Sequence, residues 1–376
     1  MDFNYTDEQS MLAEAVGRWL ATDYDFARRR RLAAGEEPWE SNWRQLADLG
    51  LLGLNVPESE GGMGGGSVEA LIVMQALGRA LVVEPYVQTA LVSAPLLAQS
   101  GSAAQRQDLL PQIVSGDLRV AVAALEPGAR YDLHEVDTRA VPNGDGFVLS
   151  GSKAVVVGGE SAHRLIVSAR TSGAVREEAG ISLFLVPADA AGVEIKPVPT
   201  IDGLRAAEIT LRDVHVPAAA LVGTLDAGFE LLERAVDRGL AAQCAEAVGA
   251  MERLLEMTGE HLRTRKQFGQ PIGNFQALQH RAADMAIAIE QARSTALLAA
   301  ARIDDPDRRE RRRAISAAKV MCGQSGRYVG EQAVQLHGGM GMTDALDVGW
   351  YFKRLVCLDL TYGDAEHHLE LYGAVL

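Results

Sequence analysis

Cysteine, aromatic side chains and positive charge are all scarce in this 376-residue chain. Its three cysteines, Cys244, Cys322 and Cys357, have no paired or metal-type spacing. That excludes a disulfide framework or a thiolate zinc site as the organising element and predicts reduced, structural thiols in a cytoplasmic protein. Aromatics make up 5% of the residues while 48% are hydrophobic, so the core falls to Ala, Leu, Val and Ile, enough for burial without staples. Lys and Arg number 36 against 50 Asp and Glu, a net charge of −14. So acidic a chain is a poor general partner for nucleic acid or an anionic membrane, and an anionic ligand would need a local cluster of arginines. No apolar run approaches the ~20 residues of a membrane span. The start, MDFNYTDEQS, is polar and acidic, unlike a signal peptide. No strand–helix–strand alternation is visible and no G-x-G-x-x-G follows a strand, which excludes a dinucleotide-binding Rossmann domain.

What is present falls into three segments with different periods, in line with two or three domains of roughly 100–200 residues each. Residues 1–117 read as an N-terminal α-helical domain. Thr6 and Gln9 fit a capping box, and Leu12, Val16, Trp19 and Leu20 then share one apolar face. The glycine-rich EGGMGGGS, Glu60 to Ser67, follows no strand and lacks the Gly-Lys-Ser/Thr ending of a phosphate loop, so it reads as a plain connection before a helix over about Val68 to Leu81. Residues 118–226 switch to short β-branched runs separated by turns, with a hairpin tip at NGDG, Asn143 to Gly146. This is an antiparallel β domain ending near Leu221 to Gly223. Residues 227–376 are helical again and rich in alanine, with Leu278, Ala282, Met285 and Ile289 forming a stripe. Arg308, Arg309, Arg311, Arg312 and Arg313 lie among acids at a helix start and read as a solvated face. The fold class is therefore α+β, with helices, a sheet and helices in that order.

The densest cluster of donors is RTRKQFGQPIGNFQALQHRAADMA, residues 263 to 286. A helix end, a tight turn and a new helix start crowd Arg263, Arg265, Lys266, Gln267, Gln276 and Gln279 around one break. Phe268-Gly269 is expected to end the first helix, with Pro271 preventing its continuation and Asn274 capping the next.

This stretch resembles the flavin-binding signature of the acyl-CoA dehydrogenase family, and AVQLHGGMGM, Ala333 to Met342, is similar to its second signature. ITLRDVHVPAAALVG looks like the strand that closes the family's middle domain, and LSGSKAVVVGG matches its frame around Gly151 and Lys153. The motifs occur in the family's order along the whole chain. The resemblance implies an N-terminal all-α domain, an antiparallel β-barrel-like middle domain and a C-terminal four-helix bundle. It also implies FAD, an acyl-CoA thioester substrate, and an electron-transfer flavoprotein as electron acceptor. In that chemistry a carboxylate takes the α-proton, the β-hydride passes to the flavin, and hydrogen bonds hold the thioester carbonyl as enolate charge develops. Arg265, Gln267 and Phe268 would reach across a dimer interface to the neighbouring subunit's FAD, with Gln335, Gly338 and Gly339 approaching the same cofactor. A guanidinium at such a corner can grip a pyrophosphate bidentately.

Elsewhere the chain departs from the family pattern. The flavin-facing loop, approximately T-E-P-G-x-G-S-D, here reads LEPGARYD, Leu125 to Asp132. Glu126, Pro127, Gly128 and Asp132 are kept, whereas Leu125 replaces a hydroxyl and Arg130 and Tyr131 replace small residues. Val155 and Val157 stand where an aromatic residue and a Thr or Ser would face the flavin ring, and read as ordinary β core. The usual catalytic glutamate falls on Tyr362 in TYGDAEHH. A phenol titrates near 10, so only ~10⁻³ of it is ionised at pH 7, a penalty of roughly 4 kcal/mol. An alternative family position for the base, on the first long C-terminal helix, falls on Gly239 beside Leu240. No catalytic residue is assigned. Asp364 is the substitute candidate for the base, and for it as for Asp237, Glu246 and Glu366 helix capping or surface solvation is the expectation.

The half-site offered to a neighbour is thus complete, while the half-site for this chain's own flavin is eroded. This pattern resembles the small subunits of heteromeric acyl-CoA dehydrogenases, of the pimeloyl-CoA dehydrogenase type. It implies an α2β2 assembly with a homologous large subunit, acting on dicarboxylic or steroid side-chain acyl-CoAs. Four readings stay open on sequence: that subunit, a homomeric dehydrogenase with a displaced base such as Asp364, another activity on the same fold, and a flavin-free scaffold.

Overall fold

The computed structural model describes residues 4–375; Met1 to Phe3, the first residues of the polar start, and Leu376 lie outside the described residues. The first helices are α1 (Asp7–Asp23), α2 (Phe26–Ala34), α3 (Glu40–Asp48) and α4 (Ser67–Ala80). A π-helical turn, Val87–Ser93, runs into α5 (Ala94–Ser100), and α6 (Ala103–Val114) follows. Eight strands come next: β1 (Val120–Ala123), β2 (Arg139–Asn143), β3 (Gly146–Val157), β4 (Arg164–Arg170), β5 (Ile181–Pro187), β6 (Val193–Pro199), β7 (Arg205–Pro217) and β8 (Leu221–Val222). The chain then returns to helix in α7 (Gly228–Thr264). A short hairpin of β9 (Lys266–Gln267) and β10 (Gln270–Pro271) precedes α8 (Gln276–Arg302), α9 (Arg308–His337), α10 (Val348–Leu360) and α11 (Ala365–Ala374). No helix among the described residues is long and apolar enough to cross a membrane.

By its internal contacts the chain forms two compact units. Among the described residues one comprises 4–37, 67–83 and 240–375, and its regular structure is helical apart from the hairpin. Thr6 and Gln9 make the expected capping box, and Val16, Trp19 and Leu20 are buried. Within this unit α4 and α7 cross with almost no separation. A Cβ on Gly78 would lie 2.1 Å from the Glu246 carbonyl oxygen, and one on Gly249 would lie 2.0 Å from that of Gln75. Only glycine permits this approach. On the stripe of α8, Met285 and Ile289 are buried. The arginine-rich start of α9 is not solvated throughout. Asp307 caps the helix, but Arg311 is fully buried and reaches the Asp305 carbonyl, because its position on α9 faces the bundle interior between Ala314 and Ile315.

The other unit comprises residues 38–66 and 84–239. Its sheet runs β6-β7-β3-β2-β4-β5-β8, with β1 alongside β4. Pairing is antiparallel except that β1 runs parallel to β4 and Arg139 meets Arg170 in a parallel pair. The NGDG tip closes the β2–β3 hairpin by pairing Asn143 with Gly146. Leu149, Leu165, Val167, Phe184, Ile209 and Val214 fill the core on one face. β3 slips register against β7 between Leu149 and Gly151 and again between Lys153 and Val156. Such bulges re-aim side chains, and the second controls the site.

Candidate functional site

In the helical unit α7 stops at Thr264, earlier than expected, and the Arg265 N–H closes its last bond on the His261 carbonyl at 2.9 Å. Phe268 and Gly269 do not end the helix. Their φ values of 50° and 80° make them the two-residue tip of the β9–β10 hairpin, because two successive left-handed residues form the primed turn that tight hairpins favour. Asn274 does not cap α8 either. Its amide donates to Gln270 Oε1 at 3.3 Å, the cap position passes to Phe275 without a side-chain bond, and Gln279 Nε2 instead donates to the Gly273 carbonyl at 2.8 Å. The hairpin projects Phe268, 91% exposed, beside Phe275.

The second element is the end of α9. Gln335 lies exposed on its last turn. Gly338 follows at φ 63°, ψ −147°, a region open in practice to glycine alone. A Cβ on Gly338 or Gly339 would meet nothing within 4 Å, so the bare backbone there faces open space. The two elements are joined beneath the surface, where His261 of α7 and His337 of α9 stack with centroids 4.4 Å apart and planes inclined by 31°. Neither histidine was singled out in the sequence. Two positions far apart along the chain carry no periodic or spacing signal that would pair them. Among the described residues the Arg265 guanidinium and the Gln335 side chain make no hydrogen bond, and Gln267 Nε2 turns back to the Lys266 carbonyl. An uncommitted guanidinium, an uncommitted amide and glycine backbone at neighbouring helix ends fit the diphosphate of a dinucleotide.

In the sheet unit the loop Leu125–Asp132 is braced from below. Lys153 Nζ, with a fully buried side chain, donates to Glu126 Oε1 at 2.7 Å, Ser168 Oγ at 2.9 Å and the Ala124 carbonyl at 3.3 Å. Glu126 in turn accepts from the N–H groups of Asp137 at 2.8 Å and Thr138 at 3.0 Å. Burial pushes the lysine down to about 8, partly offset by Glu126. Burial alone would raise the Glu126 carboxyl, but Lys153 and the donors from Thr138 and Asp137 outweigh it and hold it below the usual range. The Ala154 N–H donates to the Leu125 carbonyl at 2.8 Å, tying the loop to β3. Val155 is not ordinary core. It sits at the bulge with φ 50° and is 62% exposed, while Val156 takes the buried place. Val157 is half-buried, Arg130 is exposed at φ 50°, and Leu125 and Tyr131 are half-buried.

The segment expected to carry the base is a rigid turn between α10 and α11. Tyr362 is left-handed at φ 58°, and its carbonyl accepts from His368 Nε2 at 3.2 Å. Burial, reinforced by Lys319, keeps His368 neutral, its acidity displaced down to about 2. Buried Lys319 donates to the last carbonyls of α10, those of Leu358 and Asp359. Asp364 caps α11 by accepting from the His367 N–H at 2.9 Å, so its carboxylate serves the helix start. Gly239 and Leu240 are buried within α7. Two acids expected at caps or the surface are neither. Asp237 is fully buried, and Glu246 forms a buried two-pronged pair with Arg354 at 2.6 and 2.9 Å.

Seven non-glycine residues among those described have positive φ, and four of them are Arg130, Val155, Phe268 and Tyr362. Strain of this kind costs on the order of 1–3 kcal/mol per residue and gathers where the surrounding structure has a use for it. For a β-branched valine it is a true outlier. The backbone thus keeps special shapes at four positions already singled out, even where the side chains are unusual.

Comparison with known proteins follows the same lines. The family description "Acyl-CoA dehydrogenase, N-terminal domain" matches residues 6–117, the middle domain matches 121–214 and the C-terminal domain matches 226–376. The Bacillus subtilis protein named "Probable acyl-CoA dehydrogenase YngJ" is 32% identical over 371 residues, 97% of each chain. Among solved structures, the ChsE4-ChsE5 complex from Mycobacterium tuberculosis is 30% identical with a TM-score of 0.89, covering 100% of this chain and 98% of the other. The FAD complex of PigA is 25% identical with a TM-score of 0.92, over 100% and 98%.

Proposed function

The chain belongs to the acyl-CoA dehydrogenase family, and from that premise we propose that it serves FAD-dependent α,β-dehydrogenation of an acyl-CoA thioester as the small subunit of a heteromeric enzyme. It is an oxidoreductase component. Arg265, Gln267, Phe268, Gln335, Gly338 and Gly339 complete a flavin site whose remaining walls and catalytic carboxylate belong to a larger homologous subunit. FAD supplies the two-electron acceptor, and an electron-transfer flavoprotein takes the electrons onward. The observation that carries this reading is the contrast between the two sets of residues. The Arg265 corner holds uncommitted donors around open glycine backbone. The base turn offers a phenol at position 362 and a carboxylate at position 364 engaged as a helix cap. The structural likeness to ChsE4-ChsE5, a complex of two differently named chains, supports an α2β2 assembly. Dicarboxylic and steroid side-chain acyl-CoAs are the proposed substrate class.

A homomeric enzyme is the second reading. It draws support from the buried Lys153–Glu126 brace, which holds the sheet-side loop as firmly as a working cofactor site requires. Purification decides between them. Expressed alone, the chain should carry little flavin, and co-expressed with a homologous large subunit, it should form a yellow complex with FAD in the partner's clefts only. A homomeric preparation with one FAD per chain and turnover of any acyl-CoA would overturn the heteromeric reading.

A further inference from the structure

The His261–His337 stack lies beneath the Arg265 corner and has no assigned role. His337 is the last residue of α9 and is buried. Its Nδ1–H donates to the Ala333 carbonyl at 2.8 Å, which leaves Nε2 unprotonated in the neutral ring. His261 lies one helical turn before Arg265, and its carbonyl accepts the Arg265 N–H. The stack therefore fastens the end of α7, which carries Arg265, to the end of α9, which carries Gln335 and the two glycines. The groups acting on His261 are His337 from α9 and Arg265 from the hairpin side. The turn Ile272–Asn274, which packs on Leu262, contributes no titratable residue.

Two imidazoles 4.4 Å apart beside a permanent guanidinium cannot all be charged at little cost. Burial, then His337 and Arg265, lower the proton affinity of His261 in the bare chain. An anion seated on Arg265 reverses the balance, because two negative charges outweigh the repulsion and a proton on the half-exposed His261 becomes favourable. We propose that His261 and His337 form a proton-linked clamp for the cofactor's diphosphate, in which His261 is a further anion-binding residue that takes up a proton as the diphosphate binds. This rests on the reading that the Arg265 corner is a flavin half-site. Binding and protonation are then reciprocal, so acidification tightens the grip on the diphosphate and alkaline pH loosens it.

The test uses the assembled complex with its large subunit, freed of FAD, and ADP-ribose, a diphosphate diester with no phosphate that titrates near neutrality. Calorimetry at pH 7 in two buffers of different ionisation enthalpy reads the protons taken up per ligand. Wild type should take up measurably more protons per ligand than His261→Phe, as expected for a group whose proton affinity rises when the diphosphate binds. His261→Phe keeps an aromatic ring on the stack, and it should weaken binding several-fold at pH 6.5 while leaving it nearly unchanged at pH 8.5. His337→Phe keeps a ring on the stack and should preserve the uptake, since the proton goes to His261. Equal binding and zero uptake in wild type and His261→Phe would overturn the clamp while leaving the half-site intact, provided Arg265→Ala still weakens binding at least about tenfold. Absence of ADP-ribose binding in wild type as in Arg265→Ala would overturn the half-site and the clamp together.

Discussion

Replacing Lys153 by methionine tests the claim that one buried ion pair holds the sheet-side loop in shape. The lysine side chain is fully buried and that of Glu126 is 6% exposed. Methionine fills most of the volume but removes three donor contacts, to Glu126, Ser168 and the Ala124 carbonyl. Glu126 would keep only the N–H groups of Asp137 and Thr138. Leaving a carboxylate buried without its cation costs about 3–5 kcal/mol. Urea denaturation should register a loss of that size, and the Asp137 and Thr138 amides should exchange about a hundredfold to several thousandfold faster, since 1.4 kcal/mol is a factor of ten. Lys153→Met with Glu126→Gln should recover part of the loss, because the double variant buries no unpaired charge. Acid offers a second reading. Glu126 is held below its ordinary 4.5 in the folded chain, so its contribution is fully present above pH 4.5 and disappears as pH falls below it. A loss under 1 kcal/mol for Lys153→Met, or strict additivity in the double variant, would refute the bracing role.

Arg265→Ala should lower FAD occupancy of the assembled complex by about 1.5–3 kcal/mol of cofactor binding with little change in the melting point of the chain alone; full flavin retention after dialysis would count against the half-site. Gly78→Ala and Gly249→Ala should each destabilise by about 1–3 kcal/mol through overpacking, measured as a shift in urea midpoint, since each added methyl meets a backbone carbonyl. His368 stays neutral in the fold with its acidity down at about 2, so the unfolded chain alone gains a proton below its ordinary 6.5. Stability should then fall by up to about 1.4 kcal/mol per pH unit between pH 6.5 and 5, and His368→Gln should flatten that slope.

Much of this protein is legible from local rules. The capping box at Thr6 and Gln9, the glycine turn at Asn143–Gly146, the stripe on α8 and the switch from helical to alternating period depend on residues a few places apart, so neighbouring chemistry determined them. The positions of the Arg265 and Gln335 motifs were equally readable, because each is a short continuous run. Long-range packing decided the rest. Val155 reads as core in a run of valines, yet a bulge in β3 turns it outward and gives Val156 the buried place. Glu246 and Asp237 look like surface acids on a long helix, but their positions on α7 face inward, where Arg354 from α10 meets Glu246. Asp364 could be weighed as a base only until α11 began beside it and used its carboxylate as a cap. Lys153 with Glu126, and His261 with His337, are partners whose separation in sequence is bridged only when strands and helices come together. A single sequence fixes which groups are available, and the tertiary fold determines which of them are buried, paired or left free, because burial and pairing depend on distances that no local pattern encodes.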